Sequence, residues 1–430
     1  MMPYQVIEPK FFINTRRNFC ESISGKSIAL FFGSDLMLRT ADQMYPFRQN
    51  SNLFYLTGID QSNSILLLYP NSPNPEQREI LFIKKSDEKA RIWEGENLSK
   101  EEAKKLSGID QVCWTEQYES IIAQLMPEVK NVYLNLHEPV TNESASCCRE
   151  RIFGSKLKSL YPLHRYRRSQ PILRKMRMKK SPVELELIRK AISITASGFN
   201  HVLTAVHPNM WEYQIEAILS GTFIHEGARG HAFEPIVASG SSACILHYTQ
   251  NSRQCRSGDL ILLDFGAEYA NYAADISRTI PVNGRFSSRQ AQVYDAVLHI
   301  LEKTRSMMVP GITLKELNRE VGVMMNHALI DLGLLEAKDL PSESARDQPF
   351  RKYFMHGVSH HLGLDVHDLS DRAASLEAGM VLTCEPGIYI SQEKIGVRLE
   401  NDILVHADGP VDLSEKIPIQ REEIESLMQR

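Results

Sequence analysis

The stretch LLDFGAEYANYAADISRT, residues 262–279, sets two acids inside apolar surroundings: Asp264 follows Ile261-Leu262-Leu263, and Asp275 follows Ala273-Ala274. A second stretch repeats the arrangement, with Glu385 after Leu382-Thr383-Cys384 and Glu400 after Val397-Arg398-Leu399. A carboxylate in such a place carries a heavy desolvation cost unless it is paired or bound to a cation. Both stretches read as β-hairpins. Gly258–Asp264 forms one strand with Ala273–Val282 as its partner, and Gly379–Glu385 faces Gly396–Val405. Across a hairpin closed by two residues, opposed positions sum to a fixed odd number and share one face of the sheet. Asp264 and Asp275 sum to 539, with the turn at Tyr269-Ala270; Glu385 and Glu400 sum to 785, with the midpoint at Gln392-Glu393. Each pair therefore meets across its own hairpin, and two facing hairpins gather four carboxylates.

Four negative charges in one pocket do not stay ionised without compensation, and a divalent cation is the alternative to protonation. The run HGVSHHLGLDVHD (356–368) supplies histidines between the two hairpins. One imidazole with four carboxylates is a mostly hard oxygen set, suited to Mn²⁺ or Mg²⁺ more than to structural zinc. With five ligands and no thiolate, two ions about 3.5–4 Å apart fit better than one.

Working outward, helices are expected at Arg289–Met308 and Leu314–Leu332, between the hairpins. Upstream, Ser181-Pro182-Val183-Glu184 is a capping box with proline at the first helical position, and Leu185, Ile188, Ile192, Phe199 and Val202 continue at helical spacing. The first third of the chain alternates strand candidates (Ile28–Phe32, Ser64–Tyr69, Glu79–Lys84, Asn131–Leu136) with helical stretches (Lys100–Leu106, Glu116–Gln124). That alternation predicts an α/β domain over 1–175, followed over 176–430 by an α+β domain with helices packed on an antiparallel sheet. Between them Arg165–Lys180 holds eight Lys or Arg in sixteen residues and no acid. It lacks interleaved glycines, so it reads as a solvated inter-domain connection rather than a phosphate-binding surface. The pair Cys147-Cys148 has no partner at metal-ligand spacing and receives no role.

Composition narrows the class. The 430 residues carry 49 Lys+Arg against 53 Asp+Glu, a net −4, which argues against a surface built for nucleic acid or anionic membrane. No apolar run approaches the roughly 18 residues needed to span a bilayer, and the N-terminus does not read as a secretory signal. Seven scattered cysteines without a C-x-x-C point to a reducing compartment, and the expected location is the cytoplasm.

At these residues the sequence resembles the "pita-bread" metallopeptidases, among them aminopeptidase P, prolidase and methionine aminopeptidase. The matching strings are LLDFGAEYANYAADISRT, HGVSHHLGLDVHD, EPGIYI (385–390) and GVRLEND (396–402). The resemblance implies a pita-bread catalytic domain with Asp264, Asp275, His360, Glu385 and Glu400 as ligands of two divalent ions, Mn²⁺ above others. YPFRQNSNLFYLTGI (45–59) resembles the N-terminal domain of aminopeptidase P and prolidase, which methionine aminopeptidases lack, and so selects the proline-specific branch. By the same resemblance His247, in ILHYT, is an active-site histidine; His356 and His367 are substrate-side histidines; and Tyr389 and Arg398 stand beside Glu385 and Glu400. Trp93, in RIWEGENLS, is either a residue reaching a neighbouring subunit's site or a packing residue.

The implied activity is hydrolysis of the bond between an N-terminal residue and a following proline by a hydroxide bridging two cations. Glu385 would move the proton, and His247 and His367 would stabilise the oxyanion or the departing nitrogen. The implied partners are peptides with proline in second place and further copies of the chain, as dimer or tetramer, with no nucleic acid and no membrane. An Xaa-Pro dipeptidase (prolidase), which shares every ligand, is the alternative, and a non-catalytic binding protein of the same fold is a further one.

Overall fold

The computed structural model describes residues 4–86, 88–136, 149–339, 348–371 and 373–429, so the Cys147-Cys148 pair lies outside the described residues. The chain divides into two compact units, Gln5–Met176 and Arg177–Arg430, with Tyr4 belonging to the second.

The first unit is built on a six-stranded mixed sheet in the order Gln111–Trp114, Glu79–Ile83, Ile65–Leu68, Ser27–Phe32, Asn131–Leu134, Arg165–Arg168. Ser27–Phe32 runs antiparallel to Ile65–Leu68 and parallel to Asn131–Leu134. Every residue of it is buried, as a strand covered on both faces must be, and this explains its unbroken apolar run. Helix Lys100–Ser107 starts at a full capping box on Ser99, and helix Tyr118–Leu125 packs Tyr118, Ile122 and Leu125 onto the sheet.

The basic run is not a solvated connection. Arg165–Arg168 is the edge strand of this sheet, parallel to Asn131–Leu134, and Gln170–Met178 is a helix. Arg165, Arg167 and Arg168 are exposed, the usual protection of a sheet edge. Arg177 and Lys180, by contrast, are buried. Arg177 bonds Asp365 (2.8 Å) and Asp368, and Lys180 bonds Asp368 (2.9 Å).

In the second unit every strand pair is antiparallel among the described residues. Helix Pro182–Ala205 begins at the expected box, with Ser181 N–H donating to Glu184 at 2.8 Å. Helices Glu212–His225, Ser288–Met307 and Leu314–Asp331 follow. Leu260–Phe265 lies between Ile236–Ser239 and Ile276–Pro281. The hairpin continues as Ala267–Tyr269 paired with Tyr272–Ala273.

Its turn is Ala270-Asn271, both at positive φ (49° and 65°), the conformation that two-residue hairpins require and asparagine tolerates. The turn thus sits one residue later than expected, and Asp264 opposes Ser277 rather than Asp275. The slip is two residues, so the facing is preserved. Where the ladder breaks, Gly266 passes so close to the Ala274 carbonyl that a Cβ would lie 1.7 Å from its oxygen.

The later hairpin has the expected register. Val381 opposes Leu404 and Gly387 opposes Arg398, closed by the four residues Ser391–Lys394. No helix among the described residues is long and apolar enough to cross a membrane.

Candidate metal centre

Asp275, Glu385 and Glu400 each stand in a gap between paired strands, where the ladder is interrupted and the side chains of two hairpins converge. Glu400 N–H reaches across to Ser277 O at 3.0 Å, tying one hairpin to the other. Asp275, His360 and Glu400 each offer one donor atom within 4.8 Å of the others. His360 Nε2 lies 3.4 Å from Asp275 Oδ2 and 3.8 Å from Glu385 Oε1. Asp264, on the strand facing Ser277, is bonded by Arg398 Nη2.

The electrostatics follow from four carboxylates set against one guanidinium. Burial raises the pKa of Asp275 well above its usual range, and Asp264 and Glu385 raise it further. Burial and then Glu400 push Glu385 up to about 8. Glu400 is raised by burial, then by Asp275 and Asp264. Arg398 and His360 pull the other way. Such a set holds its protons until a cation replaces them.

Asp264 Oδ1 is buried and has no hydrogen-bond partner, as an oxygen reserved for a cation would be. The donors are four carboxylates and one imidazole, with no thiolate, which suits divalent ions preferring oxygen. The residues present therefore fit a divalent metal.

His360 is oriented for the same task. Its Nδ1–H donates to the His361 carbonyl (3.1 Å), leaving the Nε2 lone pair toward Asp275 and Glu385. Its backbone N–H donates to Thr383 Oγ1 at 3.1 Å.

Arg398 bonds three groups: Asp264, Ser277 Oγ (2.8 Å) and Tyr389 Oη (3.1 Å). Ser277 Oγ–H in turn donates to Glu400 Oε2 at 2.7 Å. Tyr389 O–H donates to His356 Nε2 (2.8 Å), while His356 Nδ1–H faces the Gly357 carbonyl (2.8 Å) and lies 3.4 Å from Glu385 Oε2. Burial depresses His356 to about 3, so it is neutral. His367 is also lowered by burial, and its ring lies 4.2 Å from that of His360. His247 is exposed and lies within electrostatic reach of both His356 and His367. The structure thus gathers all ten sequence-expected residues of the second unit. In the first unit, Trp93 is 79% exposed, which removes a packing role within the chain.

Several residues of the site went unread in the sequence. Ser277 links Arg398 to Glu400, as described. Arg278, fully buried, donates to the Glu400 carbonyl (2.7 Å), Asn401 Oδ1 (2.8 Å) and the Pro418 carbonyl (2.8 Å). Asp402 Oδ2 accepts from Asp275 N–H at 3.2 Å. The available signal was a polar Ser-Arg-Thr inside the strand Ile276–Pro281, all three residues being wholly buried.

The class of protein is now defined: the chain belongs to metallopeptidase family M24, whose family model matches residues 186–407. The model of the aminopeptidase P N-terminal domain matches residues 12–133. More particularly, the chain is 35% identical to the Xaa-Pro aminopeptidase of Escherichia coli (strain K12), over 97% of each chain. A solved structure from Bacillus anthracis matches with a TM-score of 0.91 at 37% identity, covering 98% of this chain and 99% of that one. The structure of Escherichia coli aminopeptidase P with the inhibitor Pro-Leu matches at 0.87 and 34% identity, over 99% of both chains.

Proposed function

We propose that this protein is an Xaa-Pro aminopeptidase, hydrolysing the bond between an N-terminal residue and a following proline. The observation that carries the reading is the convergence of buried Asp275 and Glu400 and half-buried Glu385 on His360, beside Asp264 with its Oδ1 unpartnered, in a chain 35% identical to an Xaa-Pro aminopeptidase along nearly its whole length. Asp264, Asp275, His360, Glu385 and Glu400 would hold two divalent ions, Mn²⁺ by the hardness of the donors. Such ions, when bound, supply Lewis-acid activation of water near neutral pH.

The chain's own groups then handle protons and charge. Glu385, with Oε2 3.4 Å from His356 Nδ1, serves as the acceptor that later passes a proton to the proline nitrogen. Tyr389, pushed up to about 12 chiefly by burial, stays protonated, so its hydroxyl keeps His356 in one tautomer. His367 and His247 offer N–H donors to the developing oxyanion or leaving group. Arg398 keeps Asp264 in place throughout.

Exposed Met37, Leu38, Met44 and Tyr45, together with Ile92 and Trp93, support self-association into a dimer or tetramer. The free thiols of Cys20, Cys113, Cys244, Cys255 and Cys384 support a cytoplasmic location.

The test is mass spectrometry of products after the Mn²⁺-loaded protein meets an Xaa-Pro dipeptide and a longer Xaa-Pro peptide together. Loss of one N-terminal residue from the longer peptide is expected. Cleavage of the dipeptide alone would identify a prolidase, and cleavage of neither would overturn the substrate assignment.

A further inference from the structure

Glu212 opens the helix Glu212–His225 and is wholly buried, outside the metal centre. Its carboxylate accepts four hydrogen bonds. Oε1 takes Ser239 N–H and Ser239 Oγ–H, both at 2.7 Å; Oε2 takes Tyr248 Oη–H and Arg253 N–H, both at 2.8 Å. Its own backbone N–H donates to the Arg253 carbonyl at 2.9 Å. One side chain therefore closes both ends of the segment 239–253 and grips it in the middle.

The residue in the middle is next to His247. Tyr248 is buried in a cluster with Ile236, Ala238, Ala243, Leu262 and Tyr389. Tyr389 is the residue whose hydroxyl holds His356, so the platform beneath His247 is continuous with the one beneath His356. His247 itself is exposed, and its position depends on the backbone that carries it.

We infer that Glu212 is a positioning residue for catalysis, fixing the segment 239–253 so that His247 faces the reacting bond. The inference rests on the substrate-side role proposed for His247. One backbone N–H falls on each carboxylate oxygen, so the side chain must present two acceptor oxygens, and a glutamine offers one. The helix N-terminus favours an acidic residue at this place. A glutamine would turn its NH₂ against the backbone N–H of Ser239 or of Arg253. Neither of those groups can become an acceptor, so one end of the segment would be released.

The experiment is a double-mutant cycle on the Mn²⁺-loaded enzyme cleaving an Xaa-Pro peptide, with metal content and thermal unfolding followed for every variant. Glu212→Gln is expected to lower kcat about tenfold and Tyr248→Phe about threefold, both with near-normal KM and metal content. In a His247→Ala background the same changes should alter kcat by less than about twofold, because they act through the residue already removed. Fully additive losses would overturn the positioning role while leaving that of His247 intact. A His247→Ala enzyme as fast as the wild type would overturn both. If Glu212→Gln fails to fold, the Tyr248→Phe cycle, which removes only the hydroxyl that bonds Glu212 and Ser252 N–H, decides on the same criterion.

Discussion

Arg398 bonds the Asp264 carboxylate directly and is the only guanidinium or ammonium group bonded to the side chain of any of the five proposed ligands among the described residues. Through Ser277 the same guanidinium steadies Glu400. Outer-shell partners of this kind typically contribute 10–100-fold, on the order of magnitude, to metal affinity. Arg398→Met is therefore expected to weaken Mn²⁺ binding by about that factor in calorimetric titration. Unchanged affinity would show that Asp264 keeps its position unaided.

The carboxylates Asp275, Glu385 and Glu400 are all raised in the metal-free protein. An acid whose folded pKa lies above its unfolded value stabilises the fold at low pH and loses that contribution as pH rises from the unfolded pKa, about 4, through the folded one. For Glu385 the upper limit is about 8. Thermal unfolding of metal-free protein should thus fall from pH 5 to 8, and the gain on adding Mn²⁺ should grow across the same interval. Proton release measured in two buffers would accompany binding. A metal-induced shift independent of pH would contradict the arrangement.

Glu385→Gln should leave folding intact and cut turnover by orders of magnitude, since it removes the group proposed to carry the proton. Near-normal turnover with metal bound would take Glu385 out of that role.

Asp368 lies beside His367, with both oxygens occupied by Arg177 and Lys180. Burial opposes its charge, but the two cations outweigh it and hold its pKa below the usual range. Its contribution is present above the unfolded pKa near 4 and disappears as pH falls through the folded value. Asp368→Asn takes the bonded carboxylate from buried Lys180 and leaves Arg177 with Asp365 alone, and should cost about 3–5 kcal/mol at neutral pH by urea unfolding. A loss below about 1 kcal/mol would place the pair in the class of weak surface contacts.

Gly266→Ala would push a methyl group into the Ala274 carbonyl. The hairpin must then open between Asp264 and Asp275, at a cost of about 3 kcal/mol by denaturant unfolding. Metal content should fall with it, and a variant with normal stability and full metal would refute the contact.

The carboxylates were legible because a charged group inside an apolar strand has few explanations, and because parity survives a register error. Asp264 and Asp275 are two residues away from direct opposition, yet they remain on one face. The turn was misplaced although Asn271 carried the signal for positive φ. The edge strand Arg165–Arg168 was hidden by its own protection, since arginines that guard an edge look like a solvated run. Ser277, Arg278 and Glu212 were out of reach for another reason. The distant partners that fix them lie between 27 and 140 positions away, and only the folded chain shows which groups a buried side chain meets.

The guanidinium of Arg398 also bears on the order in which the enzyme matures. With part of the negative charge already answered from within the chain, the hairpins have a scaffold for closing on one another before any ion arrives. Folding and metallation would then be separable events, and loss or exchange of an ion would leave the sheet in place. Activity in the cell would then track the supply of the right ion, a quantity set outside the protein.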